Sequence, residues 1–465
     1  MNRVKYLSLS ISILLIAGCS GVKNLKKAEL NLPDVIMENQ PVDSLTLSDL
    51  GWWEFYGDEY LRDIIQRTLE NNKRLQIAAA KVEQAQKLYN VDKAKLFPEL
   101  YGLVPFNHET NDYYKERYIP DPELGIKASI RWEADLWGSL TWAKRKSGAQ
   151  FLATVEDQRA MRMILVSEAA SAYFRLVALD NELEIVKHTM TTRQEGVELA
   201  RIRYEGGLTS ETVYQQAKVQ YATAAALIPR LEYNIELNEN VLALLMGCYP
   251  DEEIKRSKQL KDNTFPDRIP IGLPSQLLER RPDVRASELR LESALDGVGV
   301  SWANRFPKLT IELTGGVEND KFKGLLRSPF SYVAENFVAP IVDFGRRKNN
   351  YKAAVAAYEE ARLGYEQKVL EVFKEVVDAV NSYSSSLKSV ELNNELLVAA
   401  DKYQDLTWKQ YRAGTINYID VLDAQRRYLE AQIALSNAHL DEHLALVNLY
   451  KVLGGGWQIN EVTSD

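Results

Sequence analysis

Tyr204-Glu-Gly-Gly207 leads into a stretch that ends Leu245-Met246-Gly247, and Tyr411-Arg-Ala-Gly414 leads into one that ends Val452-Leu453-Gly454. The offset is 207 residues at Tyr204/Tyr411, Gly207/Gly414, Ala217/Ala424 and Gly247/Gly454. Upstream, Phe97-Pro98-Glu99-Leu100 recurs as Phe306-Pro307-Lys308-Leu309 at an offset of 209. The two offsets differ by only two residues, so one unit has been duplicated. That unit is far longer than the roughly 20–50-residue period of a solenoid. The chain therefore reads as a first repeat over 60–247 and a second over 275–457, similar halves of one architecture.

Within each repeat the apolar period changes. Helical spacing begins near Tyr60 and runs to about Lys95, where Phe97-Pro98 ends it because the residue before proline is pushed out of the α region. Ile126, Ala128, Ile130, Trp132 and Ala134 then alternate with Lys127, Ser129, Arg131, Glu133 and Asp135, a period of two that marks a strand. Four such segments are expected, near 100–107, 124–136, 308–318 and 331–343, the last disturbed by Pro340. Asp135-Leu-Trp-Gly138 and Asp343-Phe-Gly345 close them. Long helices follow. Ala169, Leu176, Leu183, Met190 and Val197 sit seven apart, as do Val369, Val376, Tyr383, Val390 and Leu397, which is a coiled-coil seam. Ser139 to Arg203 is nearly unbroken helix, about 100 Å at ~1.5 Å per residue. Pro229 is expected to kink the return helix. Residues 248–274, with Pro250, Pro266, Pro270 and Pro274, form an extended crossing segment, and Ser275 is a candidate N-cap for the helix after it. Residues 458–465 form a tail.

The N-terminus carries an address. Arg3 and Lys5 precede a short apolar run from Leu7 to Ile16, too short to span a bilayer, and residues 1–18 read as a signal peptide. Ile16-Ala-Gly-Cys19 resembles the lipobox of bacterial lipoproteins, which implies cleavage before Cys19 and its acylation. Several acyl chains anchor durably where a single one binds marginally. Residues 19–59 are then a lipidated, mostly polar leading segment containing Trp52-Trp53. The 465-residue chain has a net charge of −8, and losing Arg3 and Lys5 takes it to −10. That balance, and the lack of a basic cluster with interleaved aromatics, argues against a nucleic-acid partner. Cys248 is the only other cysteine, so no internal disulfide framework exists. It follows Gly247 at a helix end and reads as structural.

An alternating strand with one apolar face could pack on a soluble core. Here the flanking helices are too long and too coiled-coil-like to cover it as one layer. A bilayer would accept that face only if every strand edge is closed. Four strands cannot close a barrel, since about eight is the practical minimum. A membrane reading therefore requires several chains, and three would supply twelve strands. Ile126, Ile130 and Trp132 are expected to face lipid, and Lys127, Arg131 and Glu133 the lumen.

The lipobox, Asp135-Leu-Trp-Gly138, the run from Leu273 through Pro-Ser-Gln-Leu-Leu-Glu-Arg-Arg-Pro-Asp-Val to Arg285, and Tyr411-x-x-Gly414 followed by Asp420-Val-Leu-Asp-Ala-Gln425 together resemble the outer-membrane efflux channel family, TolC-like ducts of tripartite pumps. The Leu273–Arg285 run resembles the lipoprotein branch serving resistance-nodulation-division (RND) pumps. The resemblance implies a mainly α fold with a small β part: a homotrimer whose 12-stranded β-barrel, four strands per chain, sits in outer-membrane lipid. This barrel would continue into a long coiled-coil-like α-helical barrel across the periplasm. It also implies docking of a periplasmic adaptor (membrane fusion) protein and an inner-membrane RND transporter at the helical tip, where Gly207 and Gly414 form the hairpin turns. Carboxylates after the second turn line the periplasmic gate of such ducts, and the matching residues are Asp420 and Asp423, with Tyr411 in the contacts that hold it closed. The pattern departs at Ile416, where an arginine is expected, and at Val213, where an acid is expected.

Other chemistry is poorly supplied. His439-Leu-Asp-Glu442-His443 matches an H-x-x-E-H zinc pattern, but its repeat partners are Glu232 and Glu236, which marks these as polar-face positions. No nucleophile triad or phosphate loop stands out. Asp420 and Asp423 could form an acid/base pair, yet beside a helix start they also suit the dipole. The expectation is a passive exit duct for drugs or other toxic small compounds, with no catalytic residues, metal or cofactor. The alternatives are a duct for type I protein secretion and a non-pore coiled-coil lipoprotein.

Overall fold

The alternating segments of both repeats come together in one antiparallel sheet. The computed structural model describes residues 25–30, 32, 47–111, 119–250, 254–258, 260, 274–319, 321–339 and 341–458. Among these residues the strands are β1 (Glu99–Leu103), β2 (Phe106–Asn111), β3 (Ile119–Ala134), β4 (Lys308–Asn319) and β5 (Pro329–Val338). The order is β1-β3-β4-β5, with β2 also paired to β3. β1 and β2 lie along the same edge of β3, Leu103 opposite Lys127 and Phe106 opposite Leu124. They are one strand interrupted at Val104-Pro105, where proline has no N–H for the ladder. The Pro105 carbonyl still accepts the Gly125 N–H at 3.1 Å. The sheet is therefore four strands wide, two from each repeat. Its register repeats the duplication, because Leu100 faces Ile130 and Leu309 faces Phe337. The fourth strand differs from the expected 331–343: β5 stops at Val338, on an edge with no neighbour to hold the chain extended. Pro340 lies outside the described residues.

The helices are α1 (Trp52–Phe55), α2 (Glu59–Asn71), α3 (Lys73–Ala94), α4 (Ser139–Glu205), α5 (Glu211–Ala225), α6 (Leu227–Met246), α7 (Pro274–Arg280), α8 (Pro282–Ala303), α9 (Arg346–Arg412) and α10 (Tyr418–Val452). α4 and α9 are 67 residues each. The aspartates that close the strands start them. The Asp135 carboxylate accepts the N–H groups of Leu140 and Thr141 at 2.9 and 2.8 Å, and Asp343 accepts those of Gly345 and Arg347 at 3.0 and 3.2 Å. Free N–H groups and the positive end of the helix dipole both favour a carboxylate there. The seven-residue seam is buried or half-buried from Ala169 to Val197 and from Val369 to Leu397.

Three local expectations need correction or detail. The helix from Tyr60 to Lys95 is broken at Asn72, whose side chain accepts the Arg74 N–H at 2.9 Å and donates to the Leu245 carbonyl at 2.8 Å. Ser275 is not an N-cap, because α7 begins at Pro274, whose fixed φ and missing N–H suit a first helical position. The Pro229 kink is a full interruption at Ala226 between α5 and α6, three residues before the proline that cannot bond the carbonyl of Ala225.

Two compact units draw on both repeats. The unit of Ala80–Glu156 and Arg285–Lys368 holds the sheet with the adjoining parts of α3, α4, α8 and α9. Trp137 stacks on Phe306 in it, with ring centroids 4.7 Å apart. The unit of Asn31–Ala79, Asp157–Val284 and Val369–Asp465 has an aromatic core in which Phe55 stacks on Tyr450 at 4.2 Å beside Tyr56 and Phe174. Residues 254–258 of the crossing segment are fastened to that core. Arg256 pairs with Asp180 and Glu239, and Ser257 Oγ donates to Asp58 at 2.6 Å.

Asp296 of α8 is fully buried, paired with Arg145 at 3.3 Å, and neither carboxylate oxygen has a hydrogen bond. Burial pushes its pKa up to about 6, opposed by Arg145 and helped by Glu292. The folded chain thus holds this proton more tightly than the unfolded one. Stability should fall as pH rises from about 4 to about 6, by roughly 2–3 kcal/mol. Denaturant midpoints of wild type and Asp296→Asn across that window check this: the wild-type midpoint should drop, and the variant should be flatter and at least as stable at pH 7.

Candidate functional site

The sheet leaves its apolar face exposed, unlike a sheet packed on a core in water. Ile126 and Ile130 are 50% and 42% exposed, whereas Ser129 and Thr314 are 5% and 2% exposed. The register builds apolar rows across strands, with Leu100, Ile130, Leu313 and Val333 in line, and Trp132 beside Ile311. Ile126, Ile130 and Trp132 all lie on this outward face, and Trp132 anchors its indole N–H to the Leu96 carbonyl at 3.1 Å. Glu335 opposite Ile311, Ser331 opposite Gly315 and Asn319 opposite Leu124 are the polar residues in these rows.

The other face is a lattice of cross-strand ion pairs. Lys127 meets Glu318 at 2.8 Å, Arg131 meets Glu312 at 3.0 Å, and Lys308 meets Glu133 at 2.8 Å. The Tyr101 hydroxyl donates to Glu312 at 2.8 Å, and Ser129 shares a 2.7 Å hydrogen bond with Thr314. Sequence alternation placed Lys127, Arg131 and Glu133 on this face. Their partners in β4, more than 170 residues away, were not readable from it.

In the other unit, Gly207 and Gly414 end α4 and α9 with φ of +71° and +74°, the left-handed conformation glycine adopts without penalty. The Leu208 N–H reaches back to Arg203 O at 2.8 Å and the Thr415 N–H to Gln410 O at 3.1 Å, the same closing bond in both repeats. Around these turns Val421 and Leu422 of α10 pack with Ala200, Ala217 and Tyr418. Tyr411 lies at the edge of that cluster, 5.3 Å from the Tyr418 ring, with the Arg203 guanidinium 4.8 Å over its face.

The two aspartates have distinct local partners. Asp420 is the third residue of α10 and closes a capping box, its carboxylate accepting the Asn417 N–H at 3.2 Å. Asp423 pairs with Arg426 and Arg427, both at 2.8 Å, and these bonds hold its carboxyl below the usual range. Asp423, Ile419 and Arg426 of α10 and Gln216 and Val219 of α5 line an open groove of about 640 Å³. Cys19 lies outside the described residues.

The zinc-like motif is otherwise engaged. The buried His443 has Nδ1 2.8 Å from the His439 carbonyl and Nε2 3.2 Å from that of Leu260, and burial lowers its pKa. Both ring nitrogens therefore face backbone carbonyls. Among the described residues no group of three or more metal-ligating side chains converges, and no helix is long and apolar enough to cross a membrane.

The Arg-Arg-Pro-Asp run does structural work that its pattern alone does not explain. Arg281 is buried between Asp283 and Glu375, both at 2.7 Å, and donates to the Val452 carbonyl at 3.1 Å. Arg280 pairs with Asp49 at 2.7 Å. The Arg281–Asp283 spacing was visible in sequence; Glu375 and Asp49 were not.

A profile of the family described as outer membrane efflux protein matches this chain twice, over residues 64–248 and 273–455. The solvent efflux pump outer membrane protein SrpC of Pseudomonas putida is 29% identical over 416 residues, 88% of each chain. The probable outer membrane lipoprotein SilC of Salmonella typhimurium is 27% identical over 470 residues, 98% of this chain and 100% of SilC. A solved membrane protein of Pseudomonas aeruginosa superposes with a TM-score of 0.87 at 26% identity, covering 94% of this chain and 100% of that one. With its duplicated unit, its inverted sheet and these matches, the chain belongs to the outer membrane efflux protein family.

Proposed function

We propose that three copies of this chain close their sheets into a 12-stranded barrel in the outer membrane and form the exit duct of a tripartite efflux system. The observation that carries this is the inverted sheet: apolar side chains outward, ion pairs inward, and two edges open. Energy and substrate choice belong to an inner-membrane RND transporter, reached through a periplasmic adaptor at the turns of Gly207 and Gly414. The cargo is a class of small toxic compounds, in keeping with the solvent pump in which SrpC is named. An Ile130→Arg change puts a charge in the apolar band and should cost about 2–4 kcal/mol. Single-channel recording checks it: wild type gives stable ohmic steps, while the variant gives few or none. Unchanged insertion and conductance would oppose the lipid-facing assignment.

Anchoring through acylated Cys19 is part of the proposal, supported by Ile16-Ala-Gly-Cys19 and by the naming of SilC as a lipoprotein. Mass spectrometry of the mature N-terminus should find a multiply acylated cysteine; an unmodified N-terminus at another residue would refute it. Because the barrel also anchors the chain, Cys19→Ala should reduce function only partly.

The gate is proposed at Asp420 and Asp423, with Tyr411 and Arg203 holding neighbouring helices together. Three copies bring six carboxylates around the duct. Arg426 and Arg427 offset part of that charge, and the capping box fixes Asp420 at the helix start. Converging like charges attract cations. Asp420→Ala with Asp423→Ala should shift reconstituted channels away from cation selectivity and relieve block by multivalent cations. Wild-type selectivity and block in the double variant would rule out the acidic ring.

A further inference from the structure

The duplication describes a contact that one chain cannot make. The seam between the two repeats is β3 against β4, and at its helix end Ala134 lies opposite Leu309. Just beyond, Trp137 stacks on Phe306 at 4.7 Å and donates its indole N–H to the Pro307 carbonyl at 2.7 Å. Trp137 follows the last strand of the first repeat, and Phe306 precedes the first strand of the second.

Each of these residues has a counterpart. The register equates Leu100 with Leu309 and Ile130 with Phe337. The same offsets equate Ala134 with Ile341, Trp137 with Phe344, and Phe97 with Phe306. Trp137, Ala134, Phe306 and Leu309 are half-buried within the chain. Their counterparts are bare: Phe344 is 99% exposed, Ile341 94%, Leu100 75% and Phe97 61%. They lie at the sheet's two open edges, Ile341 and Phe344 beyond β5 and Phe97 and Leu100 at β1. Phe344 is also the one described non-glycine residue with a positive φ, +50°. Such a conformation is kept where surroundings fix it, and in one chain nothing packs against this ring.

We propose that the seam between copies repeats the seam between repeats: Phe344 of one copy stacks on Phe97 of the next, and Ile341 pairs opposite Leu100. This rests on the trimer reading and adds a register to it, in which Phe337 faces Val104. It accounts for the early end of β5. β3, with a neighbour on both sides, runs to Ala134, whereas β5 stops at Val338, short of the counterpart Ile341. The β1 edge of the next copy supplies the missing ladder. Phenylalanine has no N–H, so the joint between copies lacks the Trp137–Pro307 hydrogen bond and depends on stacking and the strand pairing.

Cysteine pairs test it in the full-length protein in outer-membrane vesicles, in a Cys248→Ala background. Opposed antiparallel residues have Cα atoms about 4.5–5.5 Å apart, within disulfide reach. On mild oxidation, Leu100→Cys with Ile341→Cys should give a covalent ladder ending at three chains. Gly102→Cys with Ile341→Cys, two residues out of register on the same face, should give at least tenfold less. Phe344→Ala and Phe97→Ala should each lower the temperature at which the detergent-resistant oligomer dissociates, and the double variant should fall no further than the worse single. If the Leu100/Ile341 pair stays monomeric while light scattering still finds three chains, the register is wrong though the trimer stands. If light scattering finds one chain, the trimer reading fails and this joint with it. Additive losses in the double variant would overturn the stack.

Discussion

A strand in hydrocarbon cannot leave a backbone N–H or C=O unbonded, and this sheet has two open edges. That constraint organises the rest of the molecule. With four strands the chain cannot close on itself, so its β part is incomplete until other copies supply neighbours. The side chains agree: apolar rows such as Leu100, Ile130, Leu313 and Val333 face outward, and the opposite face cancels its charges across strands. A sheet of this kind is unstable as a solitary object in water and favourable as one third of a wall between lipid and an aqueous passage.

The helical part solves a different problem, which is to turn very long helices at fixed points. The solution occurs twice. Gly138 and Gly345, Gly207 and Gly414, and Gly247 and Gly454 all have positive φ, each pair at the same offset. At Gly247 space is also limiting, since a Cβ would lie 2.6 Å from the Asn71 carbonyl oxygen. The repeats then diverge where they need not match. The return helix of the first is interrupted at Ala226, whereas α10 runs unbroken for 35 residues. Asp420 and Asp423 have no acidic counterparts, since Val213 and Gln216 stand at the equivalent positions of the first repeat. Difference between copies is where a pseudo-symmetric duct can hold a function that a strict repeat could not.

Much of this was legible in the sequence because it is periodic or local. The two-residue alternation around Ile130 located the strands and their faces, the seven-residue seam located α4 and α9, and Tyr-x-x-Gly marked both turns. What was missed depends on distant partners or on single atoms. Asn72 breaks a helix through its side-chain hydrogen bonds, with no change in apolar spacing. Pro105 splits a strand without disturbing its alternation. Glu375, the distant partner of Arg281, and the β4 partners of Lys127 and Arg131 lie far along the chain, and one sequence offers no pattern that reveals them. The gate reading of Asp423 left out its bonds to Arg426 and Arg427, one turn ahead. That spacing was present in sequence and is the signal that could have been used.

The central claim is that the sheet is completed only by other copies of the same chain. Native mass spectrometry of the full-length protein released from detergent micelles tests it most directly. A particle of three chains, with no populated folded monomer, is the expected result; a monodisperse single chain that keeps its strand content would contradict it.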